Sequence, residues 1–131
     1  RTHVVLPRPF EGDDARDIET LYGALRDGRS YVSLDAFEDP RGFSFTVRSR
    51  IGEATLGEDI ALSGETIGSV DLPARGKIRV VRSGRVMLEE TGRSLRFSLT
   101  EAGVYRVEVF LKRLRRWRPW IFSNPVYVRR P

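Results

Sequence analysis

The most constraining feature of this chain is the period of its apolar residues. From residue 30 onward the apolar positions repeat every second residue. Phe43, Phe45 and Val47 alternate with Ser44, Thr46 and Arg48. Leu95, Phe97 and Leu99 alternate with Ser94, Arg96 and Ser98, and Tyr105, Val107, Val109 and Leu111 alternate with Arg106, Glu108 and Phe110. Successive side chains of a strand point to opposite faces, so this pattern describes strands with one buried and one wet face. Ser83-Gly84, between 77–82 and 85–89, is the signature of a two-residue hairpin. Residues 30–37 and 66–72 read as further strands, the second stopped by Pro73, and the stretch 53–64 carries only turn signals. Two short strands, 120–123 and 126–128, close the chain around Asn124-Pro125. Short strands with turns every 8–12 residues predict an all-β, antiparallel, immunoglobulin-like sandwich, with a small barrel as the competitor. Tyr105 tilts the choice, because a Tyr near the start of the penultimate strand returns its hydroxyl to upstream backbone in such sandwiches. Val107 then fills the core position where those domains often carry Cys.

The first thirty residues behave differently. Residues 2–6 are β-prone, Pro7 to Asp13 reads as a loop, and a short helix follows. Asp13 or Asp14 can cap it, Asp17 and Glu19 suit the positive end of its dipole, and Gly28 suits the left-handed turn that ends it. Ile18, Leu21, Tyr22 and Leu25 form one apolar stripe. A single stripe on a single short helix must pack against something larger. The expected organisation is a linker segment with this helix, 1–29, followed by the sandwich, 30–131.

Composition narrows the chemistry. At 131 residues, the chain has the length of one domain and can bury a core without staples. It has no Cys and one His, His3, which leaves no thiolate nucleophile, no Cys-based zinc site and no His-rich metal centre. No catalytic, cofactor-binding or metal-ligating residue is assigned. Glu38-Asp39, Glu58-Asp59 and Glu89-Glu90 sit at turns or strand ends, and neighbours on a strand face opposite ways, so none makes an acid/base pair. No phosphate-binding glycine loop is present, and no apolar run approaches the ~18 residues of a membrane span. The net charge is +5, carried by 21 Arg and only 2 Lys. An Arg-favouring genome accounts most simply for that skew. The candidate interaction surface is the densest basic run: Lys112, Arg113, Arg115, Arg116 and Arg118 place five cations in seven residues, with Trp117 and Trp120 interleaved. Guanidinium groups neutralise phosphates and indoles can stack on bases, so a polyanion-binding or nucleic-acid-binding module is the alternative function. A charged hairpin loop is the plainer reading, and no RNA-recognition aromatic pattern accompanies it.

The C-terminal stretch Arg118-Pro119-Trp120-Ile121-Phe122-Ser123-Asn124-Pro125-Val126-Tyr127-Val128 is the most distinctive. Together with Gly103-Val104-Tyr105-Arg106-Val107-Glu108-Val109 it resembles the end of bacterial metal-dependent phosphoesterases of the PHP superfamily, in which a β-sandwich follows the catalytic domain. Thr2-His3-Val4-Val5-Leu6, Ile18–Leu25, Gly28-Arg29, Tyr31-Val32 and Asp35 resemble the passage from the last helix of the catalytic barrel into the sandwich, and Phe43-Ser44-Phe45 and Gly57-Glu58-Asp59 also fit. The resemblance implies a non-catalytic accessory domain that packs on, or shapes access to, its own N-terminal catalytic domain. Divalent metals belong to that other domain; its ligand motifs have no counterparts here, and His3 takes no metal role. The chain begins at Arg1 and is expected to be a piece of a longer, cytoplasmic protein, with protein or oligomer contacts but no membrane or nucleic-acid partner. Within the tail, Pro119 and Pro125 are expected to bracket an edge or switch-point strand, with Trp120 and Phe122 sharing one face.

Overall fold

The computed structural model describes residues 1–6, 8–34 and 38–131. Pro7 and the end of the expected 30–37 strand lie outside the described residues. The fold is all-β and mostly antiparallel, with one short helix. Its strands are β1 (Thr2–Val4), β2 (Ser30–Ser33), β3 (Ser44–Ser49), β4 (Gly52–Thr55), β5 (Asp59–Ala61), β6 (Ile67–Arg82), β7 (Arg85–Ser98), β8 (Gly103–Arg113), β9 (Arg116–Ser123) and β10 (Val126–Arg129), and its helix is α1 (Asp14–Arg26).

Two layers face each other across one core. In the first, β4 pairs β3, β3 pairs the start of β6, and the start of β6 pairs the end of β7. In the second, the start of β7 pairs the end of β6, followed by β8, β9, β2 and β1. Strand β6 therefore belongs to both. Pro73 does not stop it, contrary to expectation. The β6–β7 ladder breaks between Asp71 and Gly76, and Pro73 sits within that gap, where no ladder bond needs its missing N–H. The chain bends there and resumes in the other layer. One pair is parallel: β10 runs beside β5, with Val128 opposite Ile60.

The buried side chains are those the alternation selects. Phe45, Val47, Val70, Leu95 and Phe97 come from the first layer, and Ile78, Val80, Tyr105, Val107, Val109 and Leu111 from the second, in a single cluster. The Tyr105 hydroxyl donates to the Glu101 carbonyl at 2.6 Å, the corner expected of this residue, and Val107 is fully buried two positions on. Strands β4 and β5 were hidden in the Gly-punctuated stretch 53–64, because each is too short to show a period.

The tail departs from a regular strand. Val109 lies opposite Ile121 but Phe110 lies opposite Pro119, so Trp120 is an extra residue in β9. This bulge buries both Trp120 and Ile121 and turns Phe122 to the outer face, where its ring meets Phe110 edge-on at 6.2 Å. Trp120 and Phe122 consequently do not share a face. The indole N–H of Trp120 donates to the Glu38 carbonyl at 3.0 Å. Nor is β9 an edge, since β8 and β2 flank it; the switch point is Asn124-Pro125, where the chain leaves β2 for β5.

Asp13 caps α1 by accepting from the backbone N–H groups of Ala15 and Arg16, and Gly28 ends it with a φ of +74°. The end of α1 is tied to the sandwich at three points. Asn124 Nδ2 donates to the Gly28 carbonyl and to Ser30 Oγ, Arg29 pairs with Glu58, and Gly57, with φ +81°, packs so closely that a Cβ would sit 1.9 Å from the Asp27 carbonyl oxygen.

Removing the Tyr105 hydroxyl tests the corner. Tyr105→Phe should lower unfolding free energy by about 1 kcal/mol in denaturant titrations at pH 7. Burial pushes the phenol above its ordinary value. The folded form therefore favours the neutral ring, and this contribution stands below the unfolded pKa of roughly 10 and fades as pH rises through the folded one. The stability gap between the two proteins should narrow above about pH 10.

Candidate functional site

Two surface features stand apart from the rest of the molecule. The first is the β8–β9 hairpin. Lys112 lies opposite Trp117 and Arg113 opposite Arg116, leaving Leu114-Arg115 as a two-residue turn. Both turn residues have positive φ, 50° and 64°, the geometry of a type I′ turn that ordinarily selects Asn-Gly. A non-glycine residue in that region costs roughly 1–2 kcal/mol. Leu114 is also 89% exposed, so it recovers nothing by burial.

The five residues singled out in the sequence, Arg113, Arg115, Arg116, Trp117 and Arg118, thus fall on one ribbon. They do not act alike. Arg113 pairs with Glu38 at 3.3 Å. Trp117 faces outward, with the Lys77 ammonium 4.8 Å and the Lys112 ammonium 5.8 Å from its ring centre. Lys77 also approaches the Phe110 ring, as does the Arg79 guanidinium at 4.7 Å. Among the described residues, Lys112, Arg115, Arg116 and Arg118 make no ion pair. Most of the arginines on the strands are neutralised, by contrast: Arg48 by Glu53, Arg79 by Glu89, Arg82 by Glu101, Arg96 by Asp71, Arg106 by Glu108 and Arg129 by Asp59. No acidic residue follows Glu108 in the sequence, so a carboxylate for the cations after it has to come from another part of the fold, as Glu38 does for Arg113 and Asp59 for Arg129. Lys77 and Phe110 were missed in the linear reading because only the β6–β8 register brings them together.

The second feature is α1. Its buried residues are Thr20 and Ala24, while Ile18, Tyr22 and Leu25 are 52%, 63% and 41% exposed. Three of the four residues of the apolar stripe thus face outward, and the fourth, Leu21, is half-buried. The inner side of the helix is Thr20 and Ala24, where Thr20 accepts from Arg8 of the preceding loop and donates to the Arg16 carbonyl one turn back.

The acidic pairs serve as ion-pair partners. Arg41 donates from its side chain and backbone to Asp39 and holds that carboxyl down to about 2. Arg79 lowers Glu89, and Glu58 accepts from Arg29 and from the Thr55 backbone. His3 stacks on Tyr31 with ring centres 4.9 Å apart, in the sheet rather than in a cleft. Among the described residues no three His, Asp or Glu side chains converge as a metal site would need, and no helix is long and apolar enough to cross a membrane. Comparison with protein-family models, with curated proteins and with solved structures finds no match for this chain.

The turn strain gives a direct measurement. Replacing Leu114-Arg115 with Asn-Gly should stabilise the protein by about 1 kcal/mol in chemical denaturation, because the new pair adopts positive φ freely. A loss of stability would show that the leucine contributes packing that its exposure does not reveal.

Proposed function

We propose that this chain is a non-catalytic accessory β-sandwich domain that docks on a metal-dependent phosphoesterase domain of the PHP type and shapes access to it. The observation that carries the reading is the orientation of α1. A helix buries its apolar stripe wherever it can. Here Ile18, Tyr22 and Leu25 face outward from a helix whose other side, at Thr20 and Ala24, is already buried. Such a face suits a second apolar surface, and the resemblance of residues 2–35 to the end of a PHP barrel names the domain that would supply it.

The residues of the chain support a supporting role. Its only His stacks on Tyr31, and of the paired carboxylates Glu38, Asp39, Glu58, Asp59 and Glu89 each meet an arginine. Divalent metals belong to the docking partner in this reading, and none of these side chains is assigned to them.

Two measurements test it. The purified chain, supplied with Mn²⁺ and an activated phosphodiester, should give no turnover above buffer. A variant carrying Ile18→Ser, Tyr22→Ser and Leu25→Ser should keep its melting temperature within a few degrees, since exposed substitutions cost within about 0.5 kcal/mol each. The same variant should lose at least tenfold in calorimetric affinity for a PHP-type catalytic domain. Turnover by the chain itself, or unchanged docking by the variant, would overturn the proposal.

A further inference from the structure

The β8–β9 ribbon has a geometry that docking through α1 leaves unused. The β6–β8 ladder ends at Lys77 opposite Phe110. Beyond it, among the described residues, Leu111–Arg113 and Arg116–Arg118 pair only with each other. Leu111 is still buried in the core, so the projecting part is the Lys112–Trp117 and Arg113–Arg116 pairs with their turn, a two-stranded finger about 7 Å long at roughly 3.3 Å per residue. Alternation puts Lys112 on one of its faces and Arg116 and Arg118 on the other, with Arg115 at the tip. Arg75 precedes Gly76 and Arg93 follows Gly92, the last pair at the same end of the second layer, and both are exposed. Exposed cations therefore stand on both the ribbon and the neighbouring β6–β7 end.

We infer that the finger is a duplex-DNA-binding element that enters the major groove and reaches the phosphates of both walls. Three observations select this ligand. A major groove about 12 Å wide accepts a two-stranded β-ribbon, and cations on both ribbon faces match phosphates on both sides. The deep, narrow major groove of duplex RNA does not admit one. Single strands are bound on open aromatic faces, but the Trp117 ring already carries Lys77 and Lys112. The strained tip fits as well. Leu114 is held exposed where the turn would prefer Asn or Gly, and an aliphatic tip makes apolar contact with thymine methyl groups on the groove floor. With phosphate contacts dominant, binding is sequence-tolerant.

The test is fluorescence anisotropy of the whole chain against a labelled 20-base-pair DNA duplex. Its single strand, the equivalent RNA duplex and vesicles of phosphatidylcholine with phosphatidylglycerol are the competitors. Four phosphate contacts predict a slope near −3.6 for log affinity against log salt, so that raising salt from 50 to 200 mM weakens binding on the order of 100-fold. Each of Arg115→Ala, Arg116→Ala and Arg118→Ala should reduce the slope by about 1. Arg48→Ala with Arg129→Ala removes similar charge elsewhere and should leave the slope in place. Far-ultraviolet circular dichroism and melting curves confirm that each variant is folded. Tighter binding to the single strand, to duplex RNA or to the vesicles would overturn the inference. So would a salt-independent affinity, or a folded triple-alanine variant that binds as well as the parent. None of these results bears on the docking of α1, which uses a different face and is read by a different partner.

Discussion

The sandwich depends on one strand being shared by its two layers. Strand β6 presents Gly68, Val70 and Leu72 to the core in the first layer and Gly76, Ile78 and Val80 in the second. For both sets to face the same interior, the chain must bend without losing its alternation. The break at Pro73 does that, because proline leaves the ladder open where pairing would otherwise resist curvature. Phe97 then covers Gly68 so closely that a Cβ there would meet its ring at 2.4 Å, and Gly76 lets the β8 backbone at Phe110 come near. Within each layer a large ring or a close backbone on one strand thus requires a glycine on its neighbour, and the two layers are joined through the continuous covalent path of β6.

How much of this was legible in the sequence follows from what each signal measures. Alternation reports burial on one face, so Phe45, Val47, Leu95, Phe97 and the Tyr105–Leu111 series were placed correctly. Asp13 and Gly28 mark helix ends through local backbone chemistry, and both did so here. What alternation does not report is registry between distant strands. The extra residue at Trp120 is visible only when β8 is laid beside β9, and it reverses the expected side of Phe122. Strands of three or four residues, β4 and β5, are shorter than the pattern needed to detect them. Taken locally, Pro73 marks a strand end because it removes a donor; that a strand can continue past a missing donor is a property of the sheet.

The candidate surfaces show the same division. The basic run was evident as a string of residues, but its meaning lies in which cations remain without carboxylates, and the linear sequence does not tell Arg113, paired with Glu38 across the fold, from Arg115. The helix stripe was evident too. Its direction was not: the helix end is fastened by Asn124, Glu58 and Gly57, and Thr20 and Ala24 are the residues turned inward. A polar anchor at the terminus thus overrides the hydrophobic preference of the helix body, and the molecule carries an oily strip on one flank and a charged finger at one end of the second layer.

The Trp120 bulge has a consequence for how the chain finds its fold. An uninterrupted ribbon of alternating residues can slide two positions and still keep its faces in order. In β9 such a slip would drag the indole out of the interior, strand its N–H away from Glu38, and leave a void the size of the largest side chain in the molecule. The surplus residue therefore acts as a key cut for a single lock, so that the ribbon carrying the arginines is held at one fixed reach.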